Sequence, residues 1–275
     1  MTAEFDLEKL NYVVSGNGPA LVWAHGLLGS MQSEDALGIY AWHRFAKNLQ
    51  LLRYDAPGHG LSLPTDNQDD FLWSNLGRLM LQMADEKLFV DNGKAVPFVL
   101  GGQSMGCASS LHAALAAPEL LRGLILMNPP TAWQTRSKQK QQFLKIAKAA
   151  KILGAKGFAR INAKHIDRML PNWIIDAHKH SVLGMLDGLK GMKKRTLHQV
   201  FSAAAVNDLP ALNELTQIKV PCLILAWDDD ATHPLETANM LAKTLPNAQL
   251  HVAKCMADVE EWPELIVGFC RTVTN

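Results

Sequence analysis

One serine lies between glycines where an apolar run gives way to an alanine-rich segment. The stretch "PFVLGGQSMGCASSLHAALAAPE" carries Gly102-Gln103-Ser104-Met105-Gly106 at its centre. A strand that turns sharply into a helix needs small neighbours, and such a turn lifts the serine hydroxyl out of the sheet. The first N–H groups of the following helix then face any anion that forms there. The pattern therefore predicts that Ser104 is a nucleophile and that the Met105 N–H stabilises the developing oxyanion.

Short apolar runs with helical segments between them predict the elements that would position this serine. The runs lack polar alternation, as expected for parallel strands that are covered on both faces. They cover residues 21–24, 49–56, 97–102, 124–128, 221–227 and 248–253. Between them, apolar residues from Leu72 to Met83 recur at three- and four-residue spacing, which is typical of a helix. Repeated units of this kind indicate an α/β fold with a doubly wound, mostly parallel sheet. The segment 7–23 predicts an antiparallel hairpin that turns at Gly16-Asn17-Gly18.

A basic segment interrupts this alternation. Residues 131–219 contain 16 Lys and Arg against 5 Asp and Glu, a net charge of +11, whereas the rest of the chain has a net charge of −10. The segment has no strand-like run, and it predicts several helices that break at Gly154, Gly157, Pro171 and Gly184. We interpret it as a helical cap inserted into a core that is formed by residues 1–130 and 220–275.

Composition excludes several classes of protein. The whole chain has a net charge of +1, which argues against a nucleic-acid-binding function. No window reaches the roughly 18 uncharged apolar residues that a membrane span needs, and no secretory signal is visible, so we expect a cytoplasmic protein. The cysteines show no zinc spacing, and no dinucleotide or phosphate-binding fingerprint is present. We therefore expect neither a metal nor a cofactor, and the oligomeric state is left open.

Four stretches, taken together and in this order, resemble the α/β-hydrolase family. They are "WAHGLLGS", "RYDAPGHGLS", "GGQSMG" and "PCLILAWDDDATHP", and the resemblance extends over nearly the whole chain. It implies the α/β-hydrolase fold with a cap before the acid strand, and an oxyanion hole formed by the Leu27 and Met105 N–H groups. It also implies that His25 and His59 brace loops. Trp227 departs from the pattern, because many relatives have glycine there.

The resemblance also implies a catalytic acid and a catalytic base. The acid lies four residues before a proline in the family, so Pro234 selects Asp230 from three adjacent aspartates. The base is expected in a Gly-His pair after the last strand, but the sequence has no histidine beyond His251. Counting along "LHVAKCMADVEEWPEL" reaches Met256 or Asp258 instead.

Four interpretations of the base stay open. His233 lies three residues beyond Asp230 and could act as the base, with Asp258 or Asp230 orienting it. His251 in the last strand is a second candidate. A third possibility is a histidine of the cap, and these are His165, His178, His180 and His198. In the fourth interpretation the protein has no base, and it binds a small molecule or acts in the manner of a lyase.

These observations favour a cofactor-free hydrolase that cleaves a small carboxylic ester or lactone through a Ser104 acyl-enzyme, with Asp230 and His233 completing the site. Apolar cap residues predict an apolar pocket. They are Trp133, Phe143, Ile146, Phe158, Met169, Trp173, Ile174, Met185 and Leu186. The basic cap has three interpretations, namely a solvated face, a surface that attracts an anionic substrate, and a contact with an anionic membrane or another polyanion. The alternative is a non-hydrolytic binding protein or a lyase-like protein that lacks a full triad.

Overall fold

Seven strands form one sheet in the computed structural model, which describes residues 4–88, 97–166 and 170–274. Their order across the sheet is β1-β3-β2-β4-β5-β6-β7. The strands are β1 (Tyr12–Ser15), β2 (Ala20–Ala24), β3 (Gln50–Tyr54), β4 (Phe98–Gln103), β5 (Leu121–Met127), β6 (Cys222–Trp227) and β7 (Ala248–Ala253). All neighbours are parallel except β1 and β3. The predicted doubly wound, mostly parallel sheet is therefore confirmed.

Helices cover both faces of the sheet. They are α1 (Met31–Leu37), α2 (Trp42–Ala46), α3 (Trp73–Lys87), α4 (Met105–Ala116), α5 (Trp133–Ala163), α6 (Asn172–Gly188), α7 (Lys194–Ala204), α8 (Leu212–Leu215), α9 (Leu235–Thr244), α10 (Met256–Glu260) and α11 (Trp262–Thr274). Helices α3, α4 and α9 pack on one face, and α1, α2 and α11 pack on the other. Strand β2 is buried throughout because Val22 faces the first layer while Leu21 and Trp23 face the second. This double burial explains the unbroken apolar runs in the sequence.

The predicted amino-terminal hairpin is wrong in its pairing. β1 pairs antiparallel with β3, with Tyr12 opposite Tyr54, and does not pair with β2. Both edges of β2 are already occupied by parallel partners, β3 and β4, so the free edge of β3 is the place left for β1. The predicted turn does form, and Gly16 and Gly18 both adopt a positive φ there, of 75° and 129°. A side chain at either position would collide with backbone carbonyls of the segment before β3.

Residues 131–219 contribute helices α5 to α8, and their described part contains no strand. Gly154 bends α5 with φ of 60° and ψ of −175°, as predicted, and Pro171 directly precedes α6. The predicted breaks at Gly157 and Gly184 are wrong, because these glycines lie inside α5 and α6. A glycine within a helix costs only about 1 kcal/mol, which the packing of a helix can offset. The predicted cap boundaries stay a prediction.

Candidate active site

Ser104 lies at the junction between β4 and α4 with φ of 53° and ψ of −105°, a strained backbone conformation. Two glycines make this turn possible. A Cβ on Gly102 would lie 2.6 Å from the carbonyl oxygen of Ala24, and a Cβ on Gly106 would collide with the same oxygen. Strand β2, which ends at Ala24, therefore lies close to the end of β4 and the start of α4 only because residues 102 and 106 lack side chains. This local geometry is the one that the sequence predicts for a nucleophile elbow.

The two N–H groups predicted for an oxyanion hole flank Ser104. Met105 is the first residue of α4, so its N–H has no partner within the helix. Leu27 lies in the loop after β2 and lines the cavity into which Ser104 opens. A Cβ on its neighbour Gly26 would lie 3.4 Å from the Ser104 Cβ, which shows how closely this loop approaches the serine. Among the described residues, neither N–H donates a backbone hydrogen bond beyond those within the helices and strands.

Asp230 is the centre of a hydrogen-bond network in the loop after β6. Its side chain is 3% exposed. Oδ2 accepts a hydrogen bond from the Trp227 Nε1–H at 2.8 Å, and Oδ1 accepts from the backbone N–H groups of Thr232 and His233 at 2.8 and 3.1 Å. Burial opposes ionisation of this carboxyl, but the nearby His233 ring and these donors outweigh burial and lower its pKa to about 2. Asp230 is therefore a carboxylate at neutral pH.

The same carboxylate orients His233. Nδ1 of His233 lies 2.8 Å from Oδ2 of Asp230, and the imidazole is 11% exposed. Because Nδ1 donates to the carboxylate, Nε2 of the neutral ring is left to accept a proton. His233 and Ser104 line the same cavity, although no hydrogen bond joins the two side chains in the part of the chain that the structure describes.

The other candidate bases lie elsewhere. Of the histidines within the described residues, His233 is the only one that lines the cavity. His251 lies within β7. The ring of His198 faces the carbonyl of Ala147 at 2.9 Å, and His165 and His180 are exposed to solvent. His25 and His59 pack ring against ring, with centroids 5.1 Å apart, and contact backbone groups of the neighbouring loops.

Asp258 hydrogen-bonds to the backbone at the start of α10. Its Oδ2 accepts hydrogen bonds from the backbone N–H groups of Lys254 and Cys255, at 2.7 and 3.3 Å, at the start of α10. These bonds hold its pKa below the ordinary value. Met256, at the place where the family resemblance implies a histidine, packs against the core. Of the two carboxylates left open as partners of His233, Asp230 is the one whose side chain contacts the ring.

The cavity above Ser104 has a volume of about 280 Å³. Five of the predicted cap residues line it, and they are Phe143, Ile146, Phe158, Met185 and Leu186. Three predicted pocket residues lie elsewhere. The Trp133 indole donates to the carbonyl of Pro210, the Trp173 ring packs edge-on against Trp227, and Ile174 is fully buried in the core. The prediction for Met169 falls outside the described residues.

Three residues of the site were missed by sequence reasoning. The indole of Trp227 holds Asp230, and its only signal was the departure from glycine. Arg136 lines the cavity, but its guanidinium donates to the carbonyls of Thr131, Ala204 and Asn207. Burial lowers the pKa of Arg136 to about 10. Glu34 is a buried carboxyl on the cavity wall, and no motif indicated it.

Within residues 4–88, 97–166 and 170–274, no three His, Cys, Asp or Glu side chains are grouped so that they could hold a metal ion. Over the same ranges, no helix has both the length and the apolar character needed to cross a bilayer.

Two curated proteins resemble this chain over most of their length. A putative carbamate hydrolase RutD from Pseudomonas savastanoi pv. phaseolicola is 26% identical over 245 residues, which cover 85% of this chain and 84% of the relative. A 2-hydroxy-6-oxononadienedioate/2-hydroxy-6-oxononatrienedioate hydrolase from Burkholderia vietnamiensis is 25% identical, with 89% and 82% covered. Both relatives are hydrolases by name.

Solved structures share the fold at lower identity. A thermophilic esterase from Thermogutta terrifontis superposes with a TM-score of 0.80 at 18% identity, covering 97% of this chain and 94% of the esterase. The enol-lactonase from Burkholderia xenovorans gives a TM-score of 0.74 at 19% identity, covering 96% and 94%. The chain also matches the Alpha/beta hydrolase family over residues 21–258. With its elbow, its sheet order and this match, the chain belongs to the α/β-hydrolase family.

Proposed function

We propose that this protein is a cofactor-free hydrolase that cleaves a small carboxylic ester or lactone through a Ser104 acyl-enzyme. The observation that carries the proposal is the contact of His233 with Asp230 at 2.8 Å beside the cavity that Ser104 lines. A serine hydroxyl is a poor nucleophile unless a neighbouring group removes its proton. His233 is the histidine with a carboxylate partner and a place on this cavity.

Each residue then has a defined part in the reaction. The Ser104 Oγ attacks the substrate carbonyl carbon while its proton passes to Nε2 of His233. Asp230 holds the ring through Nδ1 and stabilises the imidazolium that forms. The Leu27 and Met105 N–H groups donate to the oxyanion, and each such donor contributes about 3–4 kcal/mol to transition-state stabilisation. The imidazolium returns its proton to the departing alkoxide, and water then attacks the acyl-enzyme with His233 again as the base.

The cavity supports a small substrate with a largely apolar acyl or alcohol part. Side chains such as Phe143, Phe158 and Leu186 line it, and they come from residues 131–219, which we propose act as its cap. The related proteins act on different compounds by name, namely a carbamate, a dioate, an ester and an enol-lactone. Attack on a carbonyl carbon is the step that an activated serine would supply for such substrates, and the fold shared with an esterase and an enol-lactonase supports an ester or lactone.

The test is labelling of Ser104 by a fluorophosphonate, measured as intact mass. We expect one adduct on the wild type and none on Ser104→Ala, and we expect His233→Ala to react far more slowly than the wild type. Turnover of short-chain esters, lactones and a carbamate by the wild type then identifies the bond that is cleaved. A wild type that forms no adduct over hours at neutral pH would contradict an activated serine. Cleavage of the carbamate alone would contradict the ester assignment.

One observation favours a second candidate, a non-hydrolytic binding protein. Ser104 and His233 form no hydrogen bond with each other among the described residues, and a binder on this scaffold would not need one. Ligand-free sites often close this distance only when substrate binds. A binder would show saturable ligand affinity with neither adduct nor turnover, and a hydrolase would show all three.

A further inference from the structure

Glu34 is a buried carboxyl that the proposed reaction does not use. It lies in the first turn of α1, and the residue is 5% exposed. It lines the same cavity as Ser104 and His233. Acidic side chains are seldom buried in this way unless their oxygens are paired, because desolvation of the charge is costly. A buried carboxyl on the wall of a mostly apolar cavity is therefore expected to have a partner.

The protein itself supplies only part of that partnership. Oε1 of Glu34 accepts a hydrogen bond from the Trp23 Nε1–H at 3.0 Å. Oε2 faces Nη2 of Arg53 at 3.4 Å, which is long for a charge-assisted bond. An ionised carboxylate has about four acceptor sites. Two protein donors, one of them distant, leave acceptor sites for a group in the cavity.

The charge around Glu34 favours a cation. Arg53 makes its shorter ion pair with Asp35, at 2.8 Å, and also donates to the carbonyl of Met31. One guanidinium is therefore shared between two carboxylates, and the cluster has a net charge of −1 when both are ionised. Asp35 is 57% exposed, so solvent screens its charge, whereas Glu34 faces the cavity. A cationic donor in the cavity would complete the pairing of Glu34.

We propose that Glu34 is a substrate-binding residue, and that it selects substrates that carry an ammonium group by holding that group against its carboxylate. The inference rests on the proposed function, because the occupant is taken to be the substrate of Ser104. The ammonium group would lie in the part of the substrate that does not react. Glu34 would act on affinity, through KM or Kd, more than on kcat.

The proposal carries a pH dependence. Burial raises the pKa of Glu34 to about 7, against the opposing effects of Arg53 on β3 and the Trp23 indole on β2. The like charge of Asp35 acts in the same direction as burial. Burial also raises the pKa of Tyr40 well above its ordinary value, so this phenol stays neutral. Helix α6, which packs against α1, contributes Met185 and Leu186 to the cavity wall. The carboxyl is thus ionised at pH 8 and mostly protonated at pH 6, so affinity for an ammonium group falls as the pH falls through about 7.

The test is ligand binding to the Ser104→Ala protein, which does not depend on turnover. The probes are methyl ω-aminoalkanoates with chains of three to six carbons, each compared with the methyl ester in which a methyl group replaces the ammonium. We expect at least one ammonium ester to bind about tenfold more tightly than its isostere at pH 8 by calorimetry. The advantage should fall several-fold at pH 6. Comparing the two members of each pair removes the contribution of the shared ester and carbon chain to binding.

Two further variants test whether Glu34 itself, rather than a neighbouring charge, causes the preference for the ammonium ester. In the Ser104→Ala background, Glu34→Gln should make the affinities for the ammonium ester and its isostere nearly equal, because the carboxamide keeps the shape of the carboxylate and loses its charge. Asp35→Asn is the matched control, since it contacts the same guanidinium but does not line the cavity. Asp35→Asn should keep the preference for the ammonium ester. The pH at which half of that preference is lost should be lower than in the protein with Asp35.

Equal binding of every pair at pH 8, or a preference that survives Glu34→Gln, would overturn the proposal. The pH dependence tests it without any substitution at Glu34, should that variant fail to fold. Failure of fluorophosphonate labelling would remove the proposed hydrolase and leave this binding result intact. Equal binding of the pairs would remove the role of Glu34 and leave the hydrolase intact.

Discussion

Two loops at the carboxyl edge of the sheet differ in what they contribute to the site. The loop after β6 carries Asp230 and His233, with their side chains in contact at 2.8 Å. In the loop after β7, the Asp258 side chain accepts backbone N–H groups at the start of α10 and Met256 packs against the core. The family resemblance implies one catalytic group on each loop, whereas the two groups that we propose as acid and base in this chain both lie on the first. A carboxylate and an imidazole three residues apart can meet when the turn between them is tight.

The first loop is tight because Asp230 organises it. One oxygen accepts two backbone N–H groups from the residues that follow, and the other accepts the Trp227 indole and faces the imidazole. Trp262 stacks on Trp227, with ring centroids 5.9 Å apart, so the start of α11 supports the indole. The helix that follows the second loop and α10 therefore packs against Trp227, which in turn holds Asp230. Under the proposed function, the base lies on a different loop from the one that the family resemblance implies, while its carboxylate partner stays in place.

The largest expected effect comes from removing the base. His233→Ala should lower kcat on an ester substrate by about 100,000-fold, because no other histidine in the described part of the chain lines the cavity to accept the Ser104 proton. Steady-state kinetics on the purified variant measures this loss. Asp258→Asn, in the other loop, is the control and should change kcat little. A large loss in Asp258→Asn with none in His233→Ala would reverse the comparison between the two loops.

Asp230→Asn should have the next largest effect. An asparagine can donate to the ring and favour the wrong tautomer, so kcat should fall by about 10,000-fold while Ser104 stays in place. The rate of fluorophosphonate labelling should fall in parallel with turnover. Unchanged labelling would mean that His233 is oriented by some other group.

Acidification should lower the free energy of unfolding, because it protonates Asp230. The pKa of Asp230 is about 2 in the folded protein and 3.8 ordinarily, so the ionised form stabilises the fold above about pH 4. This contribution, about 2 kcal/mol, is lost as the pH falls from about 4 through 2. Urea unfolding of the wild type and Asp230→Asn at several pH values measures it. The gap in unfolding free energy between the two proteins should narrow towards pH 2, and a constant gap would contradict the assignment.

The smallest expected effect comes from removing the hydrogen bond that the Trp227 indole donates to Asp230. Trp227→Phe keeps an aromatic ring against Trp262 and removes the Nε1–H that donates to Asp230. A hydrogen bond to a charged group contributes about 1.5–3 kcal/mol, so we expect kcat/KM to fall by about 10- to 100-fold. The pH profile of kcat/KM should shift along with it. A variant with the activity of the wild type would show that the backbone donors alone position Asp230.

The core of the fold was predictable because its signals are local. The Gly-flanked turn at Ser104, the buried strands and the bend at Gly154 each follow from residue types at short spacing. The pairing of β1 with β3 was not predictable in this way, because it depends on which sheet edges the other strands leave free. The glycines at 157 and 184 misled the helix prediction because packing outweighed their weak propensity.

For the site, the sequence by itself determined which groups could do chemistry. It specified Ser104 in its turn and excluded a histidine after the last strand, and the family resemblance selected Asp230 through Pro234. Only the tertiary structure decided which carboxylate faces His233, because the sequence left both Asp230 and Asp258 open as its partner. Only the tertiary structure placed Glu34 on the cavity wall. A motif records the neighbours of a residue along the chain, whereas burial and charge pairing depend on residues that come from β2, β3 and α1 and meet only in the folded protein.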